Sequence, residues 1–332
     1  MAKQSGQKVR ILYILDYLRT HSDEEHSVST PQIIEYLEKN GIDAERKAVY
    51  RDIEILIDYG YDIVLNRGQG GGYFLCSREF EDPEIRLLTD AVEAAGFITA
   101  KKSRELTDKL EKMQSIYQAR KHKNFSYINI NHKCKNEEIY YNIDNLSTAI
   151  EKNKKVTFDY IKRSLTGDRR IISNEKKMTV SPYALVWQDD SYYLVCNNEK
   201  YDNLMNLRID RMRSVKVLDE SYRHFSEVCE YTDTFNVSDY VLKTFNMFGG
   251  EACEIKLRCD IKLLEQVVDR FGDDIFFLNV NEETFDINVK ANLSEGLVGW
   301  LLQFGTGIKA LAPEIFVDMV KGRVNDLIKI YK

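Results

Sequence analysis

The sequence predicts a multidomain α+β protein with four parts: a winged helix-turn-helix, a helical linker, a small Sm-like β-barrel and a ferredoxin-like domain. Three helical patterns and a glycine-rich hairpin come first, a helix and about five short strands lie in the middle, and the last third follows the order β-α-β-β-α-β. At 332 residues the chain is also long for a single core. The predicted parts are 1–78, 79–138, 139–225 and 236–332.

The N-terminal part has helices with recognisable ends. An apolar helical pattern covers 7–21. Ser29 precedes Thr30 and Pro31, as expected for an N-cap followed by proline at the first helical position, and a third helix is predicted from Ala44 to Tyr59. Two short strands around a glycine-rich turn then complete the outline of a winged helix-turn-helix.

Charge is polarised along the third helix, with basic residues in the first two turns and acidic residues at the far end. This pattern suits a helix whose N-terminal part enters the major groove of DNA. Residues 1–78 carry ten basic and twelve acidic groups, so affinity would depend on a local patch or on dimerisation. An ordinary charged helix surface is the alternative for any single residue. The predicted DNA contacts are Arg46, Lys47, Tyr50, Arg51 and Arg67.

Residues 79–138 are predicted to form a linker of two helices, broken near 96–99, followed by a polar ordered loop over 121–138. The second helix has an apolar stripe that would serve dimerisation or ordinary packing. The stripe consists of Leu106, Leu110, Met113 and Tyr117.

Between Lys152 and Lys216 the chain turns basic, although its total net charge is -6. This stretch holds fourteen Lys and Arg against eight Asp and Glu, a local balance of +6, and it is rich in tyrosine. A helix followed by about five short strands here predicts the Sm-like barrel. A basic domain in an acidic chain suggests an anionic ligand of its own, whereas the alternative is a solvated surface with a chance imbalance.

Composition argues against several classes of protein. No apolar run is long enough for a membrane span, and the six cysteines and five histidines lack metal-ligand spacing. We therefore expect a cytoplasmic protein with reduced thiols and no cofactor or metal. We expect no enzymatic activity, because there is no phosphate-binding loop and no nucleophile elbow. Catalytic carboxylates that are distant in sequence and come together only on folding would not be detected by these motifs.

Motifs in all parts of the chain resemble the WYL-domain transcriptional regulators. Residues 181–185 (Ser-Pro-Tyr-Ala-Leu) and 208–211 (Arg-Ile-Asp-Arg) match two strands of the WYL domain, while 192–194 read Tyr-Tyr-Leu in place of the family's Trp-Tyr-Leu. Residues 49–53 fit the winged helix, and 299–305 fit the C-terminal WYL extension. Their order and spacing along one chain make the joint match specific.

The resemblance implies that the WYL domain senses a negatively charged effector, in several members a nucleic-acid fragment or a nucleotide-like ligand. Arginine offers a planar fork for phosphate, and tyrosine offers a stacking ring with a hydroxyl group. Taken alone, each tyrosine is as well explained by core packing. The predicted ligand contacts are Tyr160, Ser181, Tyr183, Tyr193, Arg208 and Arg211.

Strand parity separates the two arginines. Arg208 and Arg211 are an odd number of residues apart, so a regular strand would send them to opposite faces unless a bulge or a strand end intervenes. We favour Arg208, together with Tyr193 and Tyr183. The alternative role of Arg211 is an ion pair with Asp210 or another nearby carboxylate.

These inferences predict a homodimeric DNA-binding regulator that reads an operator in double-stranded DNA and responds to an anionic effector. Effector and DNA sites would be coupled by about 1–3 kcal/mol. An alternative is an accessory protein, for example of a phage-defence system, whose barrel binds single-stranded nucleic acid as its main task. An enzyme acting on nucleotides ranks third.

Overall fold

A computed structural model describes residues 3–68, 70–123 and 133–332. The chain forms two compact units, Met1–Lys135 and Asn136–Lys332. Both mix helices with antiparallel sheet, which confirms the α+β class. Part of the loop predicted over 121–138 lies outside the described residues. No helix within the described ranges is long and apolar enough to cross a membrane.

The first unit begins with the three predicted helices and the hairpin. Ser29 is the N-cap of the second helix, as predicted, and Pro31 is the second residue of that helix, one position later than predicted. The third helix starts at Arg46 rather than Ala44, and Glu45 is its N-cap. Gly60 ends it in the left-handed conformation, with φ of 115°. The elements are α1 (Lys3–His21), α2 (Thr30–Lys39), α3 (Arg46–Tyr59), β1 (Ile63–Asn66) and β2 (Gly72–Leu75).

One apolar core joins these five elements. Helical periodicity places its residues on the inner faces of the helices, and the hairpin closes one side. An ion pair between Arg10 on α1 and Asp52 on α3 lies at the margin of this core, with Arg10 Nε 2.6 Å from Asp52 Oδ2. The buried core side chains are Ile14, Leu18, Ile33, Leu37, Val49, Ile53, Leu56, Ile63 and Leu75.

Three further helices complete the first unit: α4 (Asp82–Ala94), α5 (Ala100–Glu111) and α6 (Ile116–Lys123). The break between the first two falls near 96–99, as predicted, but α6 is an additional helix. The ring of Tyr117 stacks on that of His26, with ring centroids 3.7 Å apart. Tyr117 thus packs against the loop between α1 and α2, which favours the packing interpretation for this part of the stripe.

The second unit opens with α7 (Ile139–Glu151) and a five-stranded antiparallel sheet. The sheet has the strand order β6-β5-β4-β3-β7. A three-residue 3-10 turn, Ile209–Arg211, leads from β6 directly to β7 at the opposite edge, so the sheet must curl until its edges approach. The strands are β3 (Lys154–Leu165), β4 (Ile171–Gln188), β5 (Ser191–Asn197), β6 (Met205–Arg208) and β7 (Met212–Ser221).

The predicted Sm-like barrel is not confirmed, because the sheet does not close. Within residues 136–332, which the structure describes throughout, no ladder joins β6 to β7. β6 has only four residues and ends in the 3-10 turn, so it is too short to extend along β7.

The last third contains a four-stranded antiparallel sheet with the order β11-β8-β10-β9. Its elements follow one another in the predicted order β-α-β-β-α-β plus a final helix. The sheet packs its inner face on α9, α10 and α11 through a shared apolar core. The elements are α8 (Val237–Lys243), β8 (Ala252–Asp260), α9 (Leu264–Phe271), β9 (Phe277–Leu278), β10 (Thr284–Asn292), α10 (Glu295–Leu302), β11 (Ile308–Ala312) and α11 (Glu314–Ile330).

A buried carboxylate on β10 gives this part of the protein a pH-dependent stability. Arg258 binds Asp286 through two hydrogen bonds of 2.8 and 3.1 Å, and Asn279 donates a third of 2.7 Å. The Arg258 guanidinium, with help from Asn279 and against the effect of burial, lowers the pKa of Asp286 from 3.8 to about 2.

Because the pKa of Asp286 is lowered by folding, its contribution to stability is present above the unfolded value of 3.8 and is lost as the pH falls towards 2. We expect Asp286→Asn to lower the free energy of unfolding at neutral pH and to flatten its dependence on pH in this window. The variant should take up about one proton fewer on unfolding, which reduces the slope of the unfolding free energy against pH. Urea unfolding followed by Trp300 fluorescence at several pH values measures the slope, and exposed Asp274→Asn is the control. An unchanged slope for Asp286→Asn would contradict the assignment.

Candidate nucleic-acid interface and anion-binding site

The first two turns of α3 expose a basic surface. Val49 and Ile53 are buried in the core, so the opposite side of the helix faces solvent. Within the described ranges, no carboxylate forms an ion pair with Arg46, Lys47 or Arg51. Ile57, near the end of the helix, is 44% exposed. The exposed residues of the first two turns include Arg46, Lys47, Tyr50 and Arg51.

The hairpin lies beside this surface. The ring of Tyr50 on α3 is 6.5 Å from that of Tyr73 on β2, and Arg67 is exposed immediately after β1. Four of the five predicted DNA-binding residues thus share one side of α3, and Arg67 lies on the hairpin turn. Guanidinium, ammonium and phenol groups of this kind can bind phosphates and base edges.

The second candidate site surrounds the 3-10 turn between β6 and β7. The guanidinium of Arg208 binds Asp210 in a bidentate way, with distances of 2.9 Å from Nε to Oδ1 and 3.0 Å from Nη2 to Oδ2. The side chains are 33% and 15% exposed. Arg211 is exposed at the end of the turn. The ion pair considered for Arg211 is therefore formed by Arg208, and a strand end separates the two arginines.

Tyr160 on β3 interacts with both Arg208 and Arg211. Its hydroxyl accepts a hydrogen bond of 3.3 Å from the backbone N–H of Arg208. Burial raises the pKa of Tyr160, while this N–H and the nearby Arg211 guanidinium act in the opposite direction. Hydrogen bonding to Asp210 raises the pKa of Arg208. Tyr193 is the cross-strand partner of Arg208, so four predicted ligand contacts belong to one region.

Ser181 and Tyr183 hold a different part of the fold. The Ser181 hydroxyl accepts from the backbone N–H of Arg223 at 2.8 Å, and the Tyr183 hydroxyl donates to the carbonyl of Arg223 at 2.8 Å. Both side chains are buried, and burial raises the pKa of Tyr183. The two hydrogen bonds to Arg223 hold the segment after β7 against β4. Sequence reasoning missed Arg223, because no motif marks the residue whose backbone N–H and carbonyl form these hydrogen bonds.

A cleft of about 670 Å³ in the second unit lies elsewhere and was not predicted. Lys243 is buried beside it and binds Glu230 and Asp239 at 2.6 and 2.5 Å. The pKa of Tyr231 is raised by burial and by its hydrogen bond to Asp239. With Asp202 and Glu251 also in its lining, the cleft is acidic and poorly suited to a polyanion. Across the described part of the chain, no group of three or more His, Cys, Asp and Glu could hold a metal ion.

Comparison with known proteins identifies the class. Residues 141–217, which include the 3-10 turn and both arginines, match the family model of the WYL domain. This part of the chain is therefore similar to WYL domains, as its sequence motifs predicted.

Similar proteins extend over most of the chain. The Bacillus subtilis protein named "Uncharacterized HTH-type transcriptional regulator YobV" is 22% identical over 296 residues, covering 86% of this chain and 90% of YobV. Among solved structures, proteasome accessory factor B/C (PafBC) of Arthrobacter aurescens aligns with 98% of this chain at 16% identity and a TM-score of 0.28. This chain spans about half of PafBC, 49% of its length. A CRISPR Cas-related protein aligns with 98% of this chain and 84% of its own length, at 12% identity and a TM-score of 0.36.

Proposed function

We propose that this protein is a ligand-responsive, sequence-specific DNA-binding transcriptional regulator. The observation that carries the proposal is the exposed basic surface of α3, on a helix that follows two others and precedes a hairpin. This arrangement of elements supports a winged helix-turn-helix, in which α3 would be the recognition helix. The name of YobV as an HTH-type transcriptional regulator supports the same function.

The proposed DNA contacts divide into two kinds. Arg46, Tyr50 and Arg51 on α3 would meet base edges and phosphates in the major groove, and Arg67 on the hairpin would reach a neighbouring phosphate. Since residues 1–78 are not basic overall, one copy of this patch would bind weakly. We therefore propose a homodimer that reads two half-sites.

The WYL domain would sense an anionic effector at the turn between β6 and β7. Arg208, Arg211 and Tyr160 lie together there, which suits a phosphate group with an attached base. The side-chain amide of Asn136 donates to the carbonyl oxygens of Asp210 and Met212 at 3.1 and 2.8 Å. A rearrangement of the turn would thus be transmitted to the residue that follows the first unit, and we propose this as the route of coupling.

Replacing Arg51 with alanine is expected to weaken binding to the selected operator by about 1–3 kcal/mol, because a bidentate contact to a base edge would be lost. The operator is first selected from a random duplex library with the wild-type protein, and binding is then measured by fluorescence anisotropy. Arg104→Ala, which removes an exposed arginine from α5, is the matched control and should bind normally.

Two results would count against this function. Failure of the wild-type protein to select any duplex sequence, combined with tight binding of single strands, would favour an accessory single-stranded nucleic-acid-binding protein. Turnover of any member of a nucleotide panel would contradict our further proposal that the protein is not an enzyme.

A further inference from the structure

The hairpin of β3 and β4 extends beyond the rest of its sheet. β3 pairs with β7 as far as Tyr160, and β4 pairs with β5 only from Ser181 onward. Between these limits the two strands pair only with each other, through the five residue pairs from Ile161–Glu175 to Leu165–Ile171. Five pairs correspond to about 17 Å of two-stranded ribbon, to which the turn at 166–170 is added. We call residues 161–177, which are this ribbon together with the two adjoining residues of β4, Lys176 and Lys177, the basic arm.

The basic arm carries most of the positive charge that distinguishes this part of the sequence. It has six Lys and Arg against two Asp and Glu, a balance of +4, whereas the whole stretch from Lys152 to Lys216 has +6. Nearly every residue of the arm is exposed. Arg170 pairs with Asp168 at 3.3 Å. The other five cations have no ion pair with any described residue. They are Lys162, Arg163, Arg169, Lys176 and Lys177.

These cations surround the ribbon. Cross-strand register places Lys162 and Lys176 on the face that also carries Tyr160, and Arg163 and Lys177 on the opposite face. Arg169 lies in the turn at the tip. A flat anionic surface would be met by one charged face, whereas a ribbon inside a groove has phosphates on both sides. The placement of cations on both faces of the ribbon therefore fits a groove that has phosphates on both sides.

The tip of the arm is apolar as well as basic. Leu165 and Ile171 face each other across the last residue pair and are 70% and 72% exposed. An isolated hairpin of this kind gains little stability in water, so exposed apolar residues on it do not serve the core. Such residues can pack against sugars and base edges at the floor of a groove.

We propose that the basic arm binds duplex DNA by lying in one of its grooves. The major groove of B-DNA accepts a two-stranded ribbon, and phosphates line both of its walls. The proposal rests on the proposed DNA-binding function and adds a second contact to that of α3. The WYL domain would then hold DNA directly, in addition to sensing an effector. Most of the excess positive charge of the WYL domain would then bind duplex DNA rather than the effector.

The test measures how duplex affinity depends on salt. Each lost phosphate contact lowers the slope of log K against log salt by about 0.9 for B-DNA. A variant with Lys162, Arg163, Lys176 and Lys177 changed to glutamine should therefore lose about 2–4 from the slope between about 50 and 200 mM salt. The probe is a duplex of about 30 base pairs of arbitrary sequence, so that no operator is needed.

Two further variants make the result specific. Four exposed lysines outside the arm, changed together to glutamine, give the same net charge and should leave the slope nearly unchanged. A variant with 163–173 replaced by Asn-Gly shortens the ribbon and should bind like the glutamine variant. Thermal unfolding checks that each variant folds. The control lysines are Lys262, Lys309, Lys321 and Lys329.

The outcomes separate this proposal from the proposed function. Equal slopes for the arm and control variants, with tight duplex binding by the wild type, would overturn the arm proposal alone. A loss seen only with a single-stranded probe would also overturn it, and would assign the arm to single strands. No duplex binding by the wild type would overturn the proposed function and the arm proposal together.

Discussion

Asp52→Ala is expected to lower the free energy of unfolding of the first unit by about 3–5 kcal/mol. Arg10 and Asp52 form a bidentate pair with distances of 2.6 and 3.2 Å, and their side chains are only 13% and 10% exposed. Removing the carboxylate leaves a guanidinium without its partner in a site with little water. The cost of that unpaired charge, rather than the attraction in the intact pair, dominates the expected change.

The measurement must report on α1 and α3 themselves. Both tryptophans, Trp187 and Trp300, lie in the second unit, so their fluorescence would not follow the first. Amide hydrogen exchange of α3, read by mass spectrometry in the native state, measures the local opening free energy.

Two controls separate the buried pair from ordinary surface charge. Glu35→Ala breaks an exposed pair with Lys39, whose groups are 64% and 70% exposed, and should cost much less than Asp52→Ala. The double variant Arg10→Met with Asp52→Leu should recover much of the loss, because neither charge is then left buried. If Asp52→Ala lowered the free energy of unfolding no more than Glu35→Ala does, the Arg10–Asp52 pair would contribute no more than an exposed ion pair.

Asp210→Asn is expected to tighten binding of an anionic effector by roughly tenfold or more, because hydrogen bonds to charged groups are worth about 1.5–3 kcal/mol. In the structure the carboxylate of Asp210 occupies both donors on one side of the Arg208 guanidinium, where a phosphate would bind. A phosphate must displace this internal anion. Arg208→Ala should have the opposite effect, since it removes the fork that binds the anion.

The probe for this experiment is a short oligothymidylate, and calorimetry measures its affinity for each variant. Asp190→Asn removes one negative charge from the exposed turn between β4 and β5 and is the matched control. Equal tightening by Asp190→Asn and Asp210→Asn would show that net charge, not release of Arg208, is responsible. Normal binding by Arg208→Ala would move the effector site away from the turn between β6 and β7.

Local features were predicted well because their causes are local. Ser29 and Gly60 end helices through the conformations of their own backbone, and apolar spacing chooses the buried side of each helix. The start of α3 was misplaced by two residues, since several polar residues there could act as the cap. The motifs at 181–185 and 208–211 also led to the WYL domain, which the family model confirms.

Contacts between distant residues were beyond prediction from one sequence. Arg10 and Asp52 are 42 positions apart, and Ser181 and Arg223 are also 42 apart. Either arginine of the 208–211 motif could have bound Asp210, because spacing does not reveal where β6 ends. The 3-10 turn settles the choice in favour of Arg208.

By itself, the sequence determined the helices and strands, the basic character of the central stretch and the class of domain, since these depend on local periodicity and composition. Only the tertiary structure decided how the cations of that stretch are divided. Strand pairing places six of them on the basic arm, whereas Arg208 and Arg211 lie at the turn between β6 and β7. Charge along a chain is a sum over residues, whereas a binding surface depends on which strands find partners and which extend alone into solvent.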